Sequence, residues 1–117
     1  MPIKTKYVFI VSMDVQPDKE ALFNEVYDTE HIPTILEVPG LVSAKRYKLA
    51  PLTVILGGEK KSVAAEGEPR YLAVYELDSP EVLTSTAWAK AVDAGRWSTE
   101  VRPYTHNRHH VLRKLID

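Results

Sequence analysis

One histidine of this sequence lies in a setting that suits proton transfer. It continues the apolar face of a predicted helix, whose members follow the i, i+3, i+4, i+7 and i+8 spacing: Phe23, Val26, Tyr27, Glu30 and His31. Pro33 lacks a backbone N–H and disfavours helix at the residue before it, so His31 is expected in the last turn of this helix or just past it. An imidazole there titrates near neutral pH and suits general acid or base chemistry. A core or interface histidine without a catalytic role fits the same placement.

Two neighbours on the same helix are candidate partners of His31. Tyr27 lies one turn before it and Glu30 is adjacent, so a hydroxyl and a carboxylate are available to orient the imidazole or to share its proton. Both are also candidate substrate-binding residues. Trp88 and Trp97 complete that group, because indole rings suit the wall of an aromatic pocket.

Tyr47 and Asp14 are the other candidate catalytic residues, and both lie on predicted strands. Tyr47 reaches the pocket of His31 if the second strand passes beneath the helix, where it would orient a substrate or stabilise an enolate. Asp14, near the buried end of the first strand, is assigned the same task. Each has a plainer interpretation, Tyr47 as a core tyrosine and Asp14 as a strand end or the cap of the next helix.

Three histidines near the end of the chain, His106, His109 and His110, raise the question of a metal site. On a regular strand, His106 and His110 share a face but lie about 13 Å apart, too far for one ion, while His109 points the opposite way. The stretch holds no carboxylate or cysteine that would complete a tetrahedral site. We therefore predict no metal here, and a solvated or dimer-facing basic end instead.

The elements that must position these residues alternate between strand and helix patterns. Apolar runs predict four strands: Tyr7–Val15, Leu41–Leu49, Arg70–Leu77 and Tyr104–Leu112. Helices are predicted over 17–31 and 79–94, and a long loop over 50–69, whose Val54-Ile55-Leu56 patch could instead extend the second strand or seal an interface. The order βαββαβ predicts an α+β, ferredoxin-like fold with an antiparallel sheet, in a single domain over residues 1–117. Such a sheet has helices on one face only, so a second copy is the simplest cover for the other face.

Composition limits the classes of partner. The chain has 15 Lys and Arg residues against 16 Asp and Glu residues, so no basic field of the kind that binds nucleic acid is expected. There is no cysteine, which removes disulfides, thiol catalysis and thiolate metal sites. No segment has the pattern of a signal peptide or a membrane span, and a soluble cytoplasmic protein is the expectation.

The stretch Tyr27-Asp-Thr-Glu-His31-Ile-Pro33, followed by Val38-Pro-Gly-Leu41-Val-Ser-Ala-Lys-Arg-Tyr47, resembles the EthD-like branch of the dimeric α/β-barrel superfamily. The resemblance implies a homodimer whose two sheets close into a barrel, with one pocket per subunit between sheet and helices. It also implies that the family's histidine corresponds to His31 and its strand-two tyrosine to Tyr47. Leu41 stands where an aromatic residue is usual, and the cysteines of some isomerase relatives have no counterpart.

The leading functional hypothesis is a cofactor-independent lyase, cyclase or isomerase of secondary metabolism. Its substrate would be a small aromatic or polyketide-like carbonyl compound, with His31 shuttling the proton. No cofactor is expected. Two alternatives remain open, a non-catalytic dimeric protein that binds a ligand or a pathway partner, and a cofactor-free monooxygenase acting on an oxidisable phenol or anthrone.

Overall fold

The computed structural model describes residues 5–116, which form a four-stranded sheet, a separate hairpin and a helical layer. The strands, numbered along the chain, are β1 (Tyr7–Val15), β2 (Leu41–Lys48), β3 (Leu52–Leu56), β4 (Glu59–Val63), β5 (Tyr71–Leu77) and β6 (Thr105–Lys114). The sheet is antiparallel with the order β2-β5-β1-β6. The predicted α+β, ferredoxin-like fold is confirmed.

The first helical segment is α1 (Glu20–Val26), a π-helical turn (Tyr27–His31) and α2 (Ile32–Ile35), preceded by a 3-10 turn at Pro17–Lys19. The N–H of Ile32 bonds to the carbonyl of Tyr27, five residues back, and Pro33 in the first turn of α2 cannot donate a backbone hydrogen bond. His31 therefore ends the π turn, close to the position predicted for it.

The second helical segment is not the single helix predicted over 79–94. A 3-10 turn spans Pro80–Thr84, Ser85 is extended, and α3 spans Thr86–Val92. The Ser85 hydroxyl accepts a hydrogen bond from the N–H of Trp88 at 3.1 Å, so it caps a new helix rather than continuing the old one. A second π turn, Trp97–Val101, and a 3-10 turn, Arg102–Tyr104, lead into β6.

The expectation of a loop over 50–69 is wrong for its central part, which is the β3–β4 hairpin. Gly57 and Gly58 form its tip with φ angles of 60° and 82°. A two-residue hairpin turn of this kind needs positive φ at both positions, which glycine adopts without steric cost. Leu52, Ile55 and Leu56 are exposed on the hairpin.

The core lies between the helices and one face of the sheet. Its most deeply buried side chains are large and apolar: Phe23, Val26, Ile35, Tyr75, Leu77 and Val101. The opposite face carries apolar residues in register, with Ile10 opposite both Val74 and Val111, each only half-buried. We call this second surface the open face. No helix among residues 5–116 is long and apolar enough to cross a membrane.

Candidate active site

A pocket of about 330 Å³ lies between the sheet and the helical layer. Its inner wall is mostly aromatic, formed by Phe9, Tyr27, Tyr75, Trp88 and Trp97, with His31 among them. The polar side chains that line it are Asp93, Arg102, Arg108 and His110. A largely apolar cavity with a few polar groups is the usual form of a site for a small organic molecule.

His31 is held in this wall by ring packing rather than by hydrogen bonds. Its imidazole stacks on Trp97, with ring centroids 4.3 Å apart and an interplanar angle of 21°. The ring of Tyr27 meets it edge-on at 5.1 Å. Only 6% of His31 is exposed, and its buried Nδ1 has no hydrogen-bond partner among residues 5–116. Buried polar atoms usually have partners, so this atom is a candidate for contact with a ligand.

The surroundings of His31 keep its imidazole neutral. Burial, followed by the positive charges of Arg102 and Arg46, lowers the pKa of His31 from 6.5 to about 4. At pH 7 the ring therefore has one nitrogen that accepts a hydrogen bond or a proton and one that donates. This is the protonation state of a general base.

Glu30 does not orient His31, contrary to the prediction. Its carboxylate accepts hydrogen bonds from Nε of Arg96 at 2.6 Å and from the Arg96 backbone N–H at 3.3 Å. These bonds hold the pKa of Glu30 below its ordinary value. Because Arg96 directly precedes Trp97, Glu30 ties the first π turn to the second, and it does not line the pocket.

Tyr27 lines the pocket and forms a hydroxyl pair in its wall, while its role in binding a substrate stays a prediction. The Tyr27 and Tyr75 oxygens are 3.0 Å apart, and the guanidinium of Arg46 lies 4.4 Å from the centre of the Tyr27 ring. Burial raises the pKa of Tyr27 above 10.0, so its hydroxyl stays protonated. One O–H of the pair bonds to the other oxygen, which leaves the second O–H able to donate.

The predicted position of Tyr47 in this pocket is wrong. Tyr47 is paired with Leu72 on β5 and is 58% exposed, whereas its neighbour Arg46 is the residue that faces the helices. Successive side chains of a strand point to opposite faces. Tyr47 thus lies on the open face, on the other side of the sheet from His31.

The predicted catalytic placement of Asp14 is also wrong, because its carboxylate is part of a structural anchor outside the pocket. It accepts hydrogen bonds from the N–H of Arg70 at 2.8 Å and from Nδ2 of Asn107 at 3.1 Å. Burial alone would raise the pKa of Asp14, but these bonds outweigh it and the net pKa is lowered. Asn107 also donates to the carbonyl of Gly67 at 3.0 Å, so Asp14 helps to fix β6 and the segment before β5.

Comparison with known proteins gives a result at the level of structure only. No family model matches the sequence, and no curated protein does. The structure is similar to that of an EthD family protein from Bacillus halodurans, with a TM-score of 0.58 and 14% identity, covering 94% of this chain and 99% of that chain. The protein has the fold of the EthD family.

Two further structures share this EthD-like fold. The haem degrader MhuD from Mycobacterium tuberculosis, with two haems bound in its active site, has a TM-score of 0.55 and 16% identity, covering 95% of this chain and 96% of that chain. An antibiotic biosynthesis monooxygenase has a TM-score of 0.55 and 9% identity, covering 95% and 99%. The resemblance seen in the sequence is therefore confirmed for the fold. Identities this low leave the reaction to the chemistry of the pocket.

Trp88 and Trp97 both line the pocket. Their role in binding a substrate stays a prediction. Trp88 meets Phe9 at 5.8 Å and Tyr75 at 6.1 Å, in both cases edge to face. Sequence reasoning missed Phe9 and Tyr75 as pocket residues. Both side chains point to the helix-facing side of the sheet, on β1 and β5. The sequence would predict them as pocket residues once that side of each strand is known.

The histidine cluster is arranged differently from the regular strand assumed above. A β-bulge at Asn107, where φ is 52°, places His106 opposite Asp14 and His109 opposite Ser12, while His110 lies opposite Val11 and lines the pocket. His106 and His110 therefore do not share a face. Within residues 5–116, no group of three or more His, Cys, Asp or Glu side chains is placed to hold a metal ion.

Proposed function

We propose that the protein is an enzyme that moves a proton on a small aromatic or polyketide-like carbonyl compound, in a lyase, cyclase or isomerase reaction. The observation that carries the proposal is the buried, unpartnered Nδ1 of His31 in the wall of an aromatic pocket. A pocket of about 330 Å³ suits such a molecule, since small-ligand sites span about 300–1,000 Å³.

In this proposal neutral His31 removes a proton from the carbon next to the substrate carbonyl, which leaves an enolate. The hydroxyl pair of Tyr27 and Tyr75 supplies a hydrogen-bond donor for the enolate oxygen. With a pKa of about 4 in the empty pocket, the imidazole is a weak base. The enolate formed beside it offsets this, because a neighbouring negative charge raises the pKa of the imidazolium. Return of the proton to another carbon, or loss of a leaving group, completes the reaction.

Substitution of His31 tests the assignment against a panel of aromatic and polyketide-like ketones. We expect His31→Asn and His31→Gln to lower kcat by about a hundredfold or more, which is the usual contribution of a general base. His109→Gln is the matched control, because His109 is exposed and opposite Ser12 on the open face. For the wild type, the acid limb of kcat/KM should follow a pKa of about 4 rather than 6.5.

Turnover within about threefold of wild type in both His31 variants would contradict the proposal. The non-catalytic alternative, a ligand-binding protein or pathway partner, would then be favoured. The absence of any hydrogen bond that orients the imidazole among the described residues is the observation on its side. Folding of each variant is checked by circular dichroism before kinetics are compared.

A cofactor-free monooxygenase is the second candidate. Its first step is the same, since a phenol or anthrone must lose a proton before its anion can give electrons to molecular oxygen. The neutral base and the aromatic wall suit such a substrate, and the fold is shared with an antibiotic biosynthesis monooxygenase. Oxygen uptake that is stoichiometric with substrate loss would select this candidate, and turnover without oxygen would reject it.

Haem is not part of the proposal. The pocket lies at the lower end of the volume range for small-ligand sites, whereas a tetrapyrrole is larger than the ligands found at that end. An axial ligand would have to be His31, the only histidine buried in the pocket wall among the described residues, and the proposed reaction uses that imidazole for proton transfer.

A homodimer is proposed separately, formed through the open face. Its central apolar row, Ile10 with Val74 and Val111, is half-buried within a single chain. Burial of such a row against a second copy would remove apolar surface from water, which is the main source of free energy in association. This dimer would leave the pocket of each subunit on its outer side, between sheet and helices.

A further inference from the structure

We infer that the ligand of this pocket carries a carboxylate, and that Arg108, assisted by His110, binds it at the rim. The inference rests on the proposed use of the pocket but not on proton transfer at His31. It adds a substrate class, aromatic carboxylates, to the proposed function.

The charges at the rim leave one cation without a partner. Arg102 donates to the carbonyl of Val92 at 2.5 Å and to the carboxylate of Asp93 at 2.7 Å, so these two opposite charges offset each other. Arg108 forms no hydrogen bond or ion pair with any residue in 5–116, although it lines the same pocket. The rim therefore has a net positive charge that nothing else in the described chain neutralises.

Arg108 has the geometry to bind an oxyanion. A guanidinium presents paired N–H donors that match the two oxygens of a carboxylate, and such charge-assisted bonds are stronger than neutral ones. The other arginine near the pocket that faces the helices, Arg46, is already bonded to Asp28 and Asn24 at 2.8 Å each. Arg108 is therefore the guanidinium left for a ligand.

His110 extends the same subsite. It lies on the pocket face of β6, with its ring 6.0 Å from that of Phe9 at an interplanar angle of 30°. Burial, followed by the nearby Arg108 and His109, lowers the pKa of His110. A ligand anion would counter the charge of Arg108, and the imidazole would donate a hydrogen bond to it.

The β-bulge at Asn107 explains how both side chains come to face the pocket. If β6 continued from His106 as a regular strand, Arg108 and His110 would lie on the face of His106, opposite Asp14. The extra residue moves them to the helix-facing side instead. The anchor formed by Asp14 and Asn107 thus positions the rim of the pocket without touching a ligand.

The test uses two probes that differ in charge but hardly in shape, 2-naphthoate and 2-naphthamide. Isothermal titration calorimetry should show that the wild type binds naphthoate at least about tenfold more tightly than naphthamide. Arg108→Gln should reduce this ratio to near one. The matched control Arg113→Gln, which removes an exposed arginine opposite Val8 on the open face, should leave the ratio unchanged.

Two further readings distinguish this inference from the proposed reaction. His31→Gln should keep the preference for naphthoate. The carboxylate subsite would therefore be supported even if His31 proved not to be a catalytic base. In the wild type, naphthoate should shift the Cε1–H resonance of His110 and not that of His109. These results together would establish the subsite without any turnover assay.

Three outcomes would overturn the inference. Equal affinities of the two probes for the wild type would show that charge is not recognised. An equal loss in Arg113→Gln would show a general effect of net charge rather than a site. No naphthoate binding by the folded wild type at millimolar concentration would show that the pocket does not accept aromatic carboxylates.

Discussion

The two faces of the sheet differ sharply although their residues alternate along the same strands. Arg46 packs over the ring of Tyr27, while the next residue, Tyr47, is 58% exposed. His110 lines the pocket, while the residue before it, His109, lies on the open face. One face thus forms a complete core around a cavity, whereas the other carries a row of half-buried apolar side chains. The proposed reaction and the proposed dimer contact would therefore lie on opposite faces of one sheet.

The largest expected effect is the loss of the proposed dimer when a charge is placed on the open face. Ile10→Asp would bury an unpaired carboxylate in a dimer formed there, which costs several kcal/mol and should weaken association by more than about a hundredfold. Light scattering should give a mass that falls from twice 13.2 kDa to 13.2 kDa. Ala89→Asp, on the exposed side of α3, is the control and should leave the mass unchanged. A wild type that is monomeric at micromolar concentration would remove the dimer proposal.

The helix-covered face should contribute a pH-dependent stability through His31. Its pKa is about 4 in the folded protein and 6.5 in an exposed chain, so the unfolded state takes up the proton first as the pH falls. Stability is full above pH 6.5, and roughly 3 kcal/mol of it is lost by about pH 4. Denaturant unfolding at several pH values should show a smaller loss in His31→Gln, whereas His109→Gln should follow the wild type. Parallel curves for wild type and His31→Gln would argue against a buried neutral imidazole.

The β-bulge in β6, which sets which side chains face the pocket, can be probed at Asn107. Asn107→Gly and Asn107→Ala both remove the bonds to Asp14 and to Gly67, but only alanine is strained at a φ of 52°. We expect the alanine variant to be less stable than the glycine variant by about 1 kcal/mol, seen as a Tm lower by a few degrees. Equal melting temperatures would mean that the backbone at this position relaxes.

The smallest expected effect concerns the charge of Arg102 beside the pocket. Arg102→Gln removes a cation that disfavours imidazolium, so the pKa of His31 should rise. It should remain below 6.5, because burial is the larger cause and is unchanged. A titration of the His31 Cε1–H resonance measures this, with Arg113→Gln as the control. A pKa that reached 6.5 would show that charge rather than burial governs the ring.

Much of the fold follows from local patterns in the sequence. The apolar run of β1 predicted its bounds, Tyr7–Val15, and the strand and helix order predicted the ferredoxin-like topology. The hairpin within 50–69 was not predicted although Gly57 and Gly58 are a strong turn signal, because the exposed, charged residues of β4 lack the apolar alternation of a strand. The helix predicted over 79–94 is interrupted at Ser85, whose hydroxyl caps α3. The free energy difference between such a cap and a continuous helix is small, so residue types alone do not decide between them.

Of the residues predicted from the sequence to form the site, four line the pocket: Tyr27, His31, Trp88 and Trp97. Helix periodicity indicated the direction of Tyr27 and His31, whereas the two tryptophans followed from residue type alone. Tyr47 was misplaced because the alternation of β2 is mixed, and the choice of face is then settled by packing against the helices rather than by sequence. Arg108 and His110 were not predicted to line the pocket because the bulge at Asn107 interrupts the alternation of β6. The sequence does not indicate that Asn107 has a φ of 52°.

The hairpin formed by β3 and β4 has a practical use. Its strands pair with each other and with no strand of the main sheet, and a Cβ added at Gly57 or Gly58 would meet nothing within 4 Å. Exposed loop tips of this kind tolerate insertions best. An affinity tag placed between the two glycines would therefore immobilise the protein without altering any residue that lines the cavity.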